Sequence, residues 1–172
     1  MRKKFRLCTL ALSVLLCVSF VFSGCGLIAV NLGKPSEKEF SKAGMSIVLT
    51  DDFVEQDIIS QTATYQSAKH LVAVIKEEFS ILEESGLSTD MSLKEYAEIL
   101  VENNKLDSVV KVKDGFTCFE YEKTLSGKDF TYLAVVQKGT DAYWFFQFAS
   151  ESKDFEKSEA QFIEWAKTIK FS

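Results

Sequence analysis

Between residues 107 and 150 the chain carries four runs rich in β-branched and aromatic residues, and each gap between them contains glycine. Val109, Val110 and Val112 lead into Asp114-Gly115, a pair that accepts the positive φ angles of a two-residue hairpin. Residues 116–125 (FTCFEYEKTL), 130–137 (FTYLAVVQ) and 142–150 (AYWFFQFAS) follow, separated by Ser126-Gly127-Lys128-Asp129 and Lys138-Gly139-Thr140-Asp141. Short runs divided by glycine turns predict an antiparallel meander. Upstream, residues 40–43, 45–50, 62–67 and 70–80 read as further strands, the last one long and mostly apolar. Tyr143, Trp144, Phe145, Phe146 and Phe148 fall on both faces of one strand, which predicts core packing on both sides.

Two helices interrupt the strands. Ser92 with Glu95 three residues later forms a capping box, and Leu93, Tyr96, Ala97 and Leu100 then share one face opposite Lys94, Glu95, Glu98 and Glu102. The second helix is predicted over about 154–168, with Phe155, Phe162, Ile163, Ala166 and Ile169 at helical spacing. Trp165 is read as lying off that stripe and partly exposed, which makes it a candidate for a binding surface. Each helix must bury its stripe, and the sheet is the large apolar surface available. The predicted fold is α+β: an antiparallel sheet with helices packed on it.

The N-terminus has a different pattern. MRKKFR is followed by an apolar stretch over 7–22, then Ser23-Gly24-Cys25, which is the layout of a secretory signal ending in small residues before a cysteine. Phe22-Ser23-Gly24-Cys25 resembles the bacterial lipobox, with phenylalanine where leucine is usual. Residues 1–24 are therefore expected to be removed, Cys25 to carry lipid, residues 25–37 to form the lipidated cysteine and a short tether, and residues 38–172 to form one domain. The competing reading is an uncleaved anchor, because no charge occurs from 7 to 33 and about 20 apolar residues span a bilayer. Both readings place the domain on the extracytoplasmic face of a bacterial membrane.

Charge narrows the partners. Both arginines and two lysines lie in the leader, so the mature chain has 16 basic and 25 acidic residues, a formal charge of −9, and no arginine. An acidic surface without guanidinium forks argues against nucleic acid and phosphorylated ligands. Contact with the membrane is expected through Cys25 alone. Besides that residue the mature chain keeps only Cys118, so no internal disulfide is possible and the core must hold the fold.

Gly44-Met45-Ser46-Ile47-Val48-Leu49 leading into Thr50-Asp51-Asp52-Phe53, the capped helix at 92–104, Asp114-Gly115-Phe116 with Phe119-Glu120-Tyr121, Lys138-Gly139 before an aromatic strand, and Phe162-Ile163-Glu164-Trp165-Ala166-Lys167 before a short final strand occur in one order. This order resembles the PsbP-like, or Mog1/PsbP-like, domains, specifically their small bacterial lipoproteins, over residues 38–171. The resemblance implies an α/β/α sandwich around an antiparallel sheet and a non-catalytic binding or accessory module. Plant members assist photosystem II and Mog1 members bind a small nuclear GTPase, but none of their functional residues maps onto this chain.

Candidate chemistry is sparse. His70 is the only histidine; a role as general base would need a partner, and an ordinary, partly exposed histidine is the expectation. Cys118 alternates with Phe116 on one strand face and is expected to pack as a small apolar residue, since no cation stands near it in sequence to lower its pKa. The doublets Asp51-Asp52, Glu77-Glu78 and Glu83-Glu84 form no calcium loop, so no metal or cofactor site is assigned. The expectation is a membrane-anchored lipoprotein acting as a non-catalytic module for a protein or envelope component. Capture of a small ligand or metal ion is the alternative.

Overall fold

The computed structural model describes residues 35–172; the signal segment, Cys25 and most of the tether lie outside the described residues. Strands β1 (Glu37–Lys42) and β2 (Met45–Thr50) form a hairpin closed by Ala43 and Gly44, whose φ angles of 53° and 91° make the turn. The first strand therefore starts earlier than the 40–43 read from sequence and ends before Ala43. Next come β3 (Val54–Glu55), β4 (Ala63–Gln66), β5 (His70–Glu78), helices α1 (Phe79–Glu84) and α2 (Leu93–Asn103), and β6 (Lys111–Lys113). The chain continues through β7 (Phe116–Leu125), β8 (Lys128–Lys138), β9 (Ala142–Glu151), a 3-10 turn at Ser152–Asp154, α3 (Phe155–Lys167) and β10 (Lys170–Phe171).

The meander forms as the pattern predicts. Seven strands pair antiparallel in the order β3-β4-β5-β9-β8-β7-β6, and a small second sheet has the order β1-β2-β10. Alternation along β9 sends Trp144, Phe146 and Phe148 to one face and Tyr143 and Phe145 to the other. Helix α2 buries Tyr96, Ala97 and Leu100 on the second face, while α3 and the small sheet bury Phe162, Ile163, Ile47 and Leu49 on the first. The antiparallel sheet thus lies between helical layers, and burying one phenylalanine or leucine side chain contributes roughly 1.5–3 kcal/mol.

The sequence reading of a strand over 70–80 ends two residues too late. Glu78 pairs with Ala142, the first residue of β9, so the sheet offers no partner beyond that point. Phe79 N–H instead donates to Asp141 C=O at 2.8 Å, the chain turns into α1, and Leu82 drops into the α2-side core. The capping box of α2 is complete: Ser92 Oγ accepts from Glu95 N–H at 3.2 Å, and Glu95 Oε2 accepts from Ser92 N–H at 2.8 Å. Such a cap contributes about 1 kcal/mol.

Candidate functional site

The fold brings together two residues singled out from the sequence. His70 opens β5 and Trp165 lies on α3, and their rings meet edge-on at 5.4 Å. Phe162 meets the same histidine at 5.5 Å, and Phe53 meets Trp165 at 5.1 Å with the planes at 88°. Trp165 is only 5% exposed, which corrects the reading that set it outside the stripe. Residues 155, 158, 162, 165 and 166 belong to one continuous helical face, and the small Ser158 had hidden it. Trp165 is a core residue, not an exposed anchor.

His70 is half-buried, and burial pushes its pKa below the ordinary histidine value, with Asp52 and Asp154 opposing the shift. Its Nε2 lies 3.0 Å from Ser158 Oγ, the spacing of a hydrolase dyad. Ser158 Oγ also lies 3.0 Å from Asp154 C=O, one helical turn back; with its proton on that carbonyl, its lone pair is left to accept from the Nε2–H tautomer of His70. A serine nucleophile needs the opposite arrangement, donating its proton to the imidazole. The pair latches α3 to the start of β5.

Cys118 is fully buried on the α3 side of β7. Burial raises its thiol pKa, outweighing Lys111 and Lys113, which the hairpin brings close although neither is adjacent in sequence. Glu77 is the buried-carboxylate feature that the doublet pattern did not reveal. It accepts from Tyr96 OH at 2.8 Å, burial holds its pKa above the usual carboxylate range, and Tyr96 stacks on Tyr143 at 4.4 Å. Tyr143 OH in turn lies 2.6 Å from Met91 C=O, so this network ties α2 to the sheet. Among the described residues no group of three or more histidine, cysteine, aspartate or glutamate side chains could hold a metal ion.

Two open grooves stand out among the described residues. One, of about 500 Å³, lies between the β1–β2 turn and β10, but its Lys42 is already held by Glu55 and Asp57. The other, of about 330 Å³, runs between α2 and the segment entering β6, and Lys94, Glu98, Val101, Glu102, Ser108 and Val109 line it. Val109, which lines this groove, and Val112, on the β6 strand that follows, stand 81% and 73% exposed. β6 is also an edge of the seven-stranded sheet. Lys113 pairs with Phe116 across a two-residue turn whose φ angles are 50° and 85°, so that pair exchanges hydrogen bonds. Alternation then turns the N–H and C=O of Val112 outward to the free edge. The sequence reading put Val109, Val110 and Val112 in one strand, but β6 spans only Lys111–Lys113; Val109 lies in the segment before it, and Val112 is exposed because β6 has a strand on one side only among the described residues.

No family model and no curated protein matches the chain. Solved structures do. The PsbP protein of the cyanobacterium Synechocystis (CyanoP) superposes with a TM-score of 0.53 at 11% identity, covering 88% of this chain and 99% of the other. The Ran-binding protein Mog1p of Saccharomyces cerevisiae gives 0.50 at 10% identity, covering 80% and 96%. A Bacteroides thetaiotaomicron protein gives 0.50 at 12% identity, covering 78% of this chain and 48% of the other. At these identities the likeness shows the fold, which is PsbP/Mog1-like.

Proposed function

We propose that this chain is an exported lipoprotein, cleaved before Cys25, whose domain acts as a non-catalytic accessory module at the extracytoplasmic face of a bacterial membrane and binds another protein. The observation that carries the binding role is the α2–β6 surface: an exposed valine in a groove and another on the adjoining strand edge, where the Val112 backbone faces outward with no strand beside it among the described residues. Apolar exposure next to polar rims is the usual mark of a protein contact. The carbonyl of Asp154, 3.0 Å from Ser158 Oγ and competing with His70 for its proton, supports the non-catalytic half. That the Mog1p neighbour is a Ran-binding protein fits a fold used for protein contacts, and the partner here is a different question.

Two experiments test the reading. Cys25→Ala should abolish lipid attachment and removal of residues 1–24; processing and membrane retention like wild type would overturn the anchor. A photo-crosslinking amino acid at position 112, in intact cells, should trap a discrete protein adduct that the same probe on the solvent side of α3, at position 160, does not trap. Equal adducts from both positions would overturn the binding surface.

A further inference from the structure

Resting on that reading, we infer that the partner supplies an extended, basic polypeptide segment that adds as a strand to the free edge of β6, with its cationic side chains over Glu98 and Glu102 of α2. The geometry of the edge comes first. The sheet has two edges, and they are not equivalent. At β3, Lys42 of the small sheet reaches across to Glu55 and Asp57. At β6, the lysines that would protect an exposed edge both lie on the α3 face and are paired there, Lys111 with Glu120 and Lys113 with Glu159. Val112, between them, points its side chain to the α2 face and its N–H and C=O to open solvent. An added strand would satisfy those two groups and cover the valine, which is how sheet edges recognise extended peptides.

Charge selects the occupant. On the α2 side of the edge the groove carries Glu98, Glu102 and Lys94, and Lys94 is engaged with Glu98 at 3.7 Å. The remaining negative charge, on a mature chain of formal charge −9, favours lysine or arginine in a strand laid alongside. The same charges disfavour a second copy. A two-fold β6–β6 pairing sets both α2 helices on one face and confronts Glu98 and Glu102 with their own counterparts.

The test uses the full lipidated protein in nanodiscs of zwitterionic lipid and a synthetic peptide of about nine residues, strand length, alternating valine with lysine. Hydrogen exchange read by NMR should show the Val112 amide protected on adding this peptide, with no new protection at Val54 on the opposite edge. Replacing every lysine of the peptide by glutamate should weaken binding at least about tenfold, and so should raising the salt to about 1 M, where the Debye length falls to about 3 Å. Val112→Pro removes the outward N–H at a position where the β6–β7 ladder does not use it, and should abolish peptide binding while leaving the thermal midpoint near wild type. Should that variant unfold, a Glu98→Gln, Glu102→Gln pair must still erase the preference for lysine over glutamate peptides. Equal affinity for both peptides, or protection at Val54 and not at Val112, overturns the inference. If crosslinking from position 112 persists in cells while no peptide protects Val112, the strand-addition inference fails and the binding surface stands.

Discussion

Replacing Trp165 with alanine separates a core role from a surface role. The indole is nearly fully buried, and it holds three ring contacts, with Phe53 at 5.1 Å, His70 at 5.4 Å and Phe162 at 5.8 Å. It also sits one turn before the point where α3 is fastened to β2. Thr168 Oγ1 accepts from Val48 N–H at 2.9 Å and donates to Trp165 C=O at 2.7 Å. Truncating a buried tryptophan costs roughly 3–5 kcal/mol, from lost transfer energy and the cavity left behind. Against a total stability of about 5–15 kcal/mol that is a large fraction. The thermal midpoint of a domain this size should fall by about 10–20 °C. The assay is urea unfolding of a soluble form beginning at Lys34, followed by far-ultraviolet circular dichroism. The midpoint should fall with the slope unchanged, because the same surface is exposed on unfolding. Trp165→Phe should recover part of the loss. A change below about 1 kcal/mol, accompanied by loss of the cellular adduct, would refute the burial reasoning and restore Trp165 as a surface anchor.

Three further outcomes follow from the same structure. Glu77 has its folded pKa raised by burial, so its ionised form disfavours the fold, and the stability it contributes is full below its unfolded pKa of about 4.3 and lost as pH rises through the folded value. Glu77→Gln, which keeps an acceptor for Tyr96 OH, should therefore be more stable than wild type at pH 7, with the gain shrinking as pH falls toward 4; a gain that grows on acidification would contradict this. Gly139→Ala should destabilise by about 1–3 kcal/mol, because a Cβ there would stand 2.9 Å from Trp144 Nε1 and the packed indole must shift; chemical denaturation of both forms measures it. Cys118 should resist a water-soluble thiol reagent in the folded domain and react at once in denaturant; rapid labelling of the native protein would contradict its burial.

The meander was legible because alternation and turn chemistry agree locally. Asp114-Gly115 and Ser126-Gly127 both take the positive φ angles that their residue types favour. Ser92 and Glu95 announced α2 for the same reason: the cap is built from residues three apart. What escaped the sequence depends on distant pairings. Strand β5 ends at Glu78 because β9 begins at Ala142, and no local signal reports that. Trp165 was misplaced because Ser158, a polar residue on a buried face, broke the apparent stripe, and its burial rests on His70, far away in the chain. The α2–β6 surface was invisible for the complementary reason: Val109 and Val112 look like core valines until β6 is known to be an edge.

The central claim is that this domain works through the α2–β6 surface and not through a titrating residue. Its most direct test compares two double variants in intact cells by the yield of the protein adduct trapped from position 102, an exposed position lining the groove, with folding of each checked by thermal unfolding. The His70→Gln, Cys118→Ala pair should keep the wild-type adduct, whereas Val109→Lys, Val112→Lys, which removes the apolar contact and repels a basic partner, should lower it at least about tenfold with the domain still folded. The reverse result, an adduct lost with His70 and Cys118 but kept with lysine at both valine positions, would contradict the account.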